Sequence, residues 1–161
     1  MIKALFFDVD GCLTDGRLYI DDRGREFKVF DTKDGHGMRK ALASGLAVAW
    51  ISGRRSKAAA ARAKDLGVRH CRQGIRDKIV CYEELCRRFD VKPSETAVMG
   101  DDEPDVEMMR RAGLSACPSD ATAAAKKVAR VVLTRRGGRG AAREFIDLVL
   151  ARRGGRKVRV S

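Results

Sequence analysis

Leu5-Phe6-Phe7-Asp8-Val9-Asp10-Gly11-Cys12-Leu13-Thr14-Asp15-Gly16 runs from an apolar segment of strand length into two aspartates one residue apart. Because neighbouring side chains of a strand point to opposite faces, Asp8 and Asp10 share one face where the strand ends. Two carboxylates this close repel each other unless a cation neutralises them or one of them keeps a proton. The stretch therefore predicts a metal site, an acid/base pair, or both.

Segments of strand length and helix length alternate along almost the whole chain after this stretch. The predicted strands are residues 3–9, 46–51, 68–71, 96–99, 114–117 and 130–133, and the predicted helices include residues 38–44, 56–66, 77–89 and 141–152, with a further Ala-rich helix capped by Ser119-Asp120. This alternation indicates a three-layer, Rossmann-like α/β fold with a mostly parallel sheet. We expect a single domain over residues 1–153 and a basic tail over residues 154–161.

A β-hairpin is predicted over residues 17–30, with turn chemistry at residues 22–24. Its second strand alternates in either of two ways, with Phe27 and Val29 or with Lys28 and Phe30 on the packed face. A two-stranded hairpin is marginal alone, so we expect it to pack on something, possibly another subunit. Residues 31–37 are predicted to be a polar loop before the next helix.

The composition indicates a soluble globular protein, with 44% hydrophobic and 35% charged residues. No apolar run approaches the roughly 20 residues that a membrane helix needs. The N-terminus enters a strand without a basic and apolar leader, which argues against secretion. Five scattered cysteines without a CxxC pair favour reduced thiols in the cytoplasm and disfavour a zinc site.

The basic charge is concentrated near the C-terminus. Residues 135–161 contain nine Lys or Arg and two acidic residues, which supplies +7 of the net +12. We predict a mobile basic glycine loop at residues 135–140. This segment could bind nucleic acid, be solvated, or meet an anionic substrate in a neighbouring subunit. Phe145 is its one aromatic residue, which disfavours nucleic-acid binding.

Other predicted strands also end in polar residues. Ser52, Gln73 and the pair Asp101-Asp102 follow three of them, and in a parallel sheet these ends meet at one rim together with Asp8 and Asp10. Each signal alone is weak, but together they supply the parts of phosphoryl transfer. Carboxylates can hold Mg²⁺, attack phosphorus or carry a proton, and a hydroxyl and a lysine can hold phosphoryl oxygens.

The chain resembles the haloacid dehalogenase superfamily of phosphatases, whose four motifs match Asp8-x-Asp10-Gly11, Ser52, Lys78 and Gly100-Asp101-Asp102-x-x-Asp105. Over residues 1–153 it more specifically resembles the 3-deoxy-D-manno-octulosonate 8-phosphate phosphatases. The stretches that carry this resemblance are Asp8–Gly16, the hairpin, Lys33–Met38, Ser52–Arg54, Gln73-Gly74 and Gly137–Glu144.

The resemblance implies a Mg²⁺-dependent phosphatase without a cap domain. Asp8 would be the nucleophile and a metal ligand. Asp10 would be the general acid/base and would give its main-chain carbonyl to the metal. Asp101 would complete the protein ligands, with Asp102 supporting the metal waters.

The resemblance also implies how substrate is held. Ser52, the Gly53 amide and Lys78 would bind the phosphate. The sugar acid would meet the loop from Thr32 to His36, together with Arg54 and Arg139. The hairpin would take part in a tetramer that closes the site, and residues 137–139 would cover a neighbour's site.

Two alternatives stay open on the sequence. The substrate could be a nine-carbon sialic-type acid 9-phosphate. Alternatively, the chain could be a non-catalytic tetrameric or nucleic-acid-binding protein that keeps this fold. The intact set of Asp8, Asp10, Ser52, Lys78 and Asp101 argues against the second alternative.

Overall fold

The apolar run before Asp8 forms the centre of the sheet. In the computed structural model, which describes residues 1–154, β1 (Ala4–Phe7) is completely buried. It pairs in parallel with β4 (Ala47–Ser52) on one side and with β6 (Thr96–Met99) on the other. A strand buried on both faces reads as an unbroken apolar run, which is what these residues show.

Three further strands complete the sheet, namely β5 (His70–Gln73), β7 (Leu114–Cys117) and β8 (Val131–Val132). The six strands are parallel and lie in the order β5-β4-β1-β6-β7-β8. The helices are α1 (Thr32–Ala43), α2 (Lys57–Leu66), α3 (Lys78–Arg88), α4 (Val106–Arg111), α5 (Ala123–Val128) and α6 (Ala141–Arg153), and two 3₁₀ turns lie at Pro93–Glu95 and Glu103–Asp105. The predicted three-layer α/β fold is confirmed.

Alternate side chains of β1 enter two different cores. Phe7 packs edge-on against Phe145 of α6, in the core that α1, α2 and α6 cover. Phe6 packs against Tyr82 of α3, in the core that α3, α4 and α5 cover. Burying an aromatic or aliphatic side chain of this size contributes about 1.5–3 kcal/mol. The two cores hold β1 rigidly, and with it the residues that follow the strand.

The predicted hairpin is present as the antiparallel pair β2 (Tyr19–Ile20) and β3 (Glu26–Phe27). Four of its apolar residues, Leu18, Ile20, Phe27 and Val29, are exposed. The register pairs Tyr19 with Phe27 and Ile20 with Glu26, so Ile20 and Phe27 lie on opposite faces of the hairpin. Lys28 and Phe30 face inward, and the Phe30 ring stacks on Trp50 of β4 with centroids 6.2 Å apart. Of the two alternations that the sequence left open, the one with Lys28 and Phe30 on the packed face is therefore correct.

The prediction of a loop over residues 31–37 is wrong, because α1 already begins at Thr32. The Asp31 carboxylate caps the helix by accepting a hydrogen bond from Lys33 N at 2.6 Å. The two glycines of this turn permit close packing and do not break the helix. A Cβ on Gly35 would collide with the Arg62 guanidinium, and one on Gly37 would lie 3.0 Å from Arg143 Cδ.

Residues 135–140, which the sequence predicted to be a mobile loop, pack against the turn after β1. Gly138 N donates to Cys12 O at 3.0 Å, and Gly137 N donates to the Asp120 carboxylate at 3.0 Å. A Cβ on Gly137 or Gly138 would collide with the backbone between Gly11 and Asp15. The absence of side chains lets this loop lie directly on the turn after β1.

Smaller differences affect the ends of elements. β5 lies two residues later than predicted, and β8 is two residues long. Thr122, and not Ser119-Asp120, caps α5 by accepting from Ala125 N. Apart from Gly154, the predicted basic tail lies outside the described residues. Within residues 1–154, no helix combines the length and the apolar character needed to cross a membrane.

Candidate active site

The predicted site residues converge at the carboxyl ends of the central strands. Asp8 and Asp10 follow β1, Ser52 ends β4, and Asp101 follows β6. Ser52 Oγ lies 3.4 Å from Asp10 Oδ2, which joins the ends of β4 and β1. Gln73 also ends a strand, but its side-chain Oε1 accepts from Ser56 N at 2.6 Å and so supports the start of α2.

Lys78, the first residue of α3, reaches into this rim and is 7% exposed. Its ammonium contacts Asp8 Oδ1 and lies 2.7 Å from Asp105 Oδ1. The other oxygen of Asp105 accepts from the amides of Asp101 and Asp102 at 3.1 and 3.3 Å. Asp105 therefore holds both the lysine and the backbone that carries Asp101.

Asp105 was part of a motif in the sequence, but sequence reasoning gave it no role. The sequence feature that could have identified Asp105 is its position four residues after Asp101. In the structure, Asp105 is the last residue of the 3₁₀ turn. The structure shows why a carboxylate is needed there, since it has one ammonium and two backbone amides as partners.

The site carries an excess of buried negative charge. Asp8, Asp101 and Asp105 lie together, and Lys78 is the ammonium that contacts two of them. Burial, followed by repulsion from Asp105, raises the pKa of Asp101 to about 7. Burial and the same neighbour raise the pKa of Asp8 well above its ordinary value, despite Lys78. A divalent cation would offset this repulsion.

The donor set fits Mg²⁺. Ligand atoms of Asp8, Cys12 and Asp101 lie within 4.8 Å of one another. The two carboxylates are the hard oxygen ligands that Mg²⁺ prefers. Burial and the neighbouring carboxylates raise the pKa of the Cys12 thiol, which lies 3.8 Å from Asp101 Oδ1 as a weak hydrogen-bond donor. Gly11, with φ +93°, leaves space for the Asp101 carboxylate, which a Cβ would displace.

Asp102 and Asp10 are placed differently from these ligands. The Asp102 residue is exposed, and its carboxylate accepts from Glu103 N at 2.8 Å as the cap of the 3₁₀ turn. Asp10 Oδ1 contacts the Lys28 ammonium, and its Oδ2 faces Ser52. The metal contacts predicted for Asp10 and Asp102 stay predictions.

The residues predicted to bind the sugar acid fall into two groups. Arg54 N donates to Ser52 Oγ at 3.2 Å, and its guanidinium lies 2.5 Å from Glu26 of the hairpin, with Gly53 exposed beside it. Thr32 and Arg139 line a separate cleft of about 440 Å³. Its other lining residues are Asp15, Tyr19, Val29, Phe30, Asp31, Lys33 and Gly138.

Lys28 is a second site residue, besides Asp105, to which sequence reasoning gave no role. It lies in a hairpin that was expected to form a lid and a subunit contact, and its side chain is 3% exposed. The sequence feature that could have identified Lys28 is the alternation of side chains along the second strand. One of its two possible orientations places Lys28 on the packed face.

Comparison with known proteins places this geometry in a family. The family described as haloacid dehalogenase-like hydrolase matches residues 71–144. Over 143 residues the chain is 42% identical to the 3-deoxy-D-manno-octulosonate 8-phosphate phosphatase KdsC of Yersinia pestis, a match that covers 89% of this chain and 76% of that protein. The same phosphatase of Escherichia coli K12 is 39% identical with the same coverage.

Solved structures agree with these matches. The crystal structure of 3-deoxy-D-manno-octulosonate 8-phosphate phosphatase from Moraxella catarrhalis contains a magnesium ion, a phosphate ion and a KDO molecule. It matches with a TM-score of 0.90 at 36% identity, over 92% of this chain and 86% of that chain. This chain therefore belongs to the 3-deoxy-D-manno-octulosonate 8-phosphate phosphatase family of the haloacid dehalogenase-like hydrolases.

Proposed function

We propose that this protein is a Mg²⁺-dependent phosphatase that hydrolyses 3-deoxy-D-manno-octulosonate 8-phosphate to the free sugar acid and inorganic phosphate. The observation that carries the proposal is the contact of Lys78 with both Asp8 and Asp105, beside Asp101. This arrangement in a chain 42% identical to a phosphatase of that substrate supports the same reaction here.

In the first half of the reaction, the Asp8 carboxylate attacks the phosphorus atom of the substrate. The bond between phosphorus and the ester oxygen breaks, and Asp10 donates its proton to that oxygen as it leaves. The product is an aspartyl phosphate on Asp8 and the free sugar acid. The 3.4 Å contact between Ser52 and Asp10 supports this division of roles, because it puts the acid next to a phosphate-binding hydroxyl.

In the second half, a water molecule attacks the aspartyl phosphate. Asp10 takes a proton from that water, inorganic phosphate leaves, and the Asp8 carboxylate is restored. Lys78, Ser52 and the Gly53 amide hold the phosphoryl oxygens throughout. Asp8, Asp101 and the Asp10 carbonyl would hold Mg²⁺, with Asp102 near its waters, and the ion would supply positive charge for the phosphoryl group and for the crowded carboxylates.

The sugar acid itself is bound by Arg54 and by the cleft that contains Thr32 and Arg139. A guanidinium is well suited to a carboxylate because it can form two parallel hydrogen bonds. The distinction between eight and nine carbons lies in this region.

Release of phosphate in the presence of Mg²⁺ tests the proposal. The wild type should hydrolyse octulosonate 8-phosphate, whereas Asp8→Asn should fall to background because an amide is not a nucleophile for phosphorus. Equal activity of the two proteins would reject the mechanism. Faster hydrolysis of a nine-carbon 9-phosphate than of the eight-carbon ester would reject the proposed substrate and retain the mechanism.

We also propose that the enzyme is a cytoplasmic homotetramer, built from single domains over residues 1–153, in which the hairpin contacts neighbouring subunits. Support comes from four apolar residues of the hairpin, Leu18, Ile20, Phe27 and Val29, each of which is more than half exposed. Light scattering should give four times the monomer mass, and Ile20→Lys with Phe27→Lys should lower it. A monomeric wild type would reject the assembly.

A further inference from the structure

Lys28 lies on the hairpin but faces the catalytic rim of its own chain. Its side chain is 3% exposed, although Lys28 as a whole residue is half-buried, and the neighbouring residues Phe27 and Val29 are each more than half exposed. Burying a lysine costs free energy unless its ammonium is paired. The groups that pair with the Lys28 ammonium should therefore explain why a lysine is buried at this position.

The Lys28 ammonium is paired with two carboxylates. It contacts Asp10 Oδ1 and lies 3.0 Å from Glu26 Oε1. Glu26 in turn lies 2.5 Å from the Arg54 guanidinium. A line of alternating charges thus runs from Arg54 through Glu26 and Lys28 to Asp10.

The two oxygens of Asp10 have different partners. Lys28 holds Oδ1, and Ser52 Oγ lies 3.4 Å from Oδ2. Partners on both oxygens restrict rotation of the carboxyl group about its χ2 angle. Removal of Lys28 would leave one longer contact to set the orientation.

We propose that Lys28 is a positioning residue for Asp10, which it orients toward the oxygen that must receive a proton. This inference rests on the proposed function, in which Asp10 is the general acid/base. Small misplacements of a reacting group are costly, since a shift of about 1 Å can reduce a rate by about 100-fold. The hairpin therefore contributes to the reaction within its own subunit, in addition to any contact between subunits.

The test compares Lys28→Met with the wild type on two phosphate esters. Octulosonate 8-phosphate has an alkoxide leaving group that needs a proton, whereas the leaving group of p-nitrophenyl phosphate needs none. The ratio kcat/KM reports the steps up to departure of the leaving group. We expect kcat/KM of Lys28→Met to fall about 100-fold on the sugar phosphate and less than about 3-fold on the aryl ester, in line with the usual contribution of a general acid.

A purely structural role would reduce activity on both esters by the same factor, and that result would overturn the inference, as would no reduction on either ester. Arg25→Met is the matched control, because Arg25 belongs to the same hairpin and its side chain is 72% exposed in its ion pair with Asp21. It should behave as the wild type on both esters.

A second variant keeps the test open if Lys28→Met does not fold. Lys28→Arg keeps a positive charge beside Asp10 and leaves Glu26 and Arg54 unchanged, so it should show a smaller loss with the same preference for the aryl ester. Uniform loss on both esters would contradict the inference. If the wild type prefers a nine-carbon ester, the proposed substrate fails, and the same ratio measured on that ester still supports or overturns the role of Lys28.

Discussion

The ammonium of Lys78 lies 2.7 Å from Asp105 Oδ1, and neither side chain is more than 7% exposed. This pair joins the start of α3 to the 3₁₀ turn after β6. It brings a positive charge beside Asp8, and Asp105 also accepts from the backbone amides of Asp101 and Asp102. One buried carboxylate thus sets the positions of the phosphate-binding lysine and a metal ligand.

The first prediction concerns Asp105→Asn. The amide keeps the size of the side chain but removes the charge beside Lys78, and its NH₂ group cannot accept from two backbone amides. We expect the free energy of unfolding to fall by about 2–3 kcal/mol and kcat to fall at least about tenfold, since buried charges and amides lose partners. Urea denaturation and steady-state kinetics measure both effects.

The control for this variant is Glu107→Gln, two residues further along. Glu107 forms an exposed pair with Arg110, and exposed pairs contribute at most about 1 kcal/mol. Equal free energies of unfolding of the two variants would contradict the claim that Asp105 stabilises the fold through Lys78 and two backbone amides.

The second prediction concerns removal of the metal. Mg²⁺ at 100 times its dissociation constant should stabilise the wild type by about 2.7 kcal/mol, because it binds the folded state. Burial and repulsion from Asp105 raise the pKa of Asp101 to about 7, so at pH 8 its charge destabilises the metal-free fold. Asp101→Asn should therefore exceed metal-free wild type in stability and gain little from Mg²⁺.

Thermal unfolding with MgCl₂, and with KCl at equal ionic strength, measures this difference. The potassium series separates binding from general screening of charge. Equal stabilisation of both proteins by Mg²⁺ would show that Asp101 does not hold the metal.

The third prediction is a pH dependence that originates at Asp34. Its carboxylate is buried between α1 and α6 and accepts from Arg143 N at 2.7 Å and Gly140 N at 3.3 Å. Burial raises its pKa from 3.8 to about 6, despite these two bonds. Between those pH values the folded state keeps a proton that the unfolded state has lost, so the contribution of Asp34 to stability falls as pH rises.

Asp34→Asn cannot titrate and should lack this change. Between pH 4.5 and pH 7, the wild type should lose about 2 kcal/mol of stability relative to the variant, as linkage requires for this pKa. Urea denaturation at the two pH values gives the difference directly. Parallel pH profiles would mean that Asp34 is charged throughout this range.

The fourth prediction concerns the loop that lies on the turn after β1. Gly138→Ala would place a Cβ 2.6 Å from Asp15 N, in addition to the strain at φ +63°. Gly24→Ala has a similar φ of +72° with nothing within 4 Å, so it isolates the strain, which costs about 1–2 kcal/mol. We expect Gly138→Ala to be clearly the less stable variant by urea denaturation and to have the lower kcat. An equal decrease in the free energy of unfolding of the two alanine variants would contradict close packing of this loop against the turn after β1.

Elements that the sequence predicted well are those with strong local signals. The bounds of β6 and β7 match the prediction at both ends, because short apolar runs there are bordered by turn residues. The helix predicted over residues 56–66 is α2, Lys57–Leu66, because the Ser56 hydroxyl cap and the left-handed Gly67 that delimit it act locally.

Elements that depend on distant partners were predicted poorly. The two glycines at the start of α1 suggested a loop, but each one admits an arginine from another helix, Arg62 or Arg143. The glycines of residues 137–140 suggested mobility for the same reason. In both places the missing side chain serves packing against a segment far away in the chain.

The sequence by itself determined which groups are available: two aspartates after a buried strand, a hydroxyl, a lysine and a second set of carboxylates, each next to a predicted strand or helix. Tertiary structure decided which of them meet. Periodicity shows that Lys28 and Phe27 face opposite ways, but it does not show which one faces Asp10. That choice depends on packing of the hairpin against β4 and on the charges at the rim, and neither is encoded in local spacing.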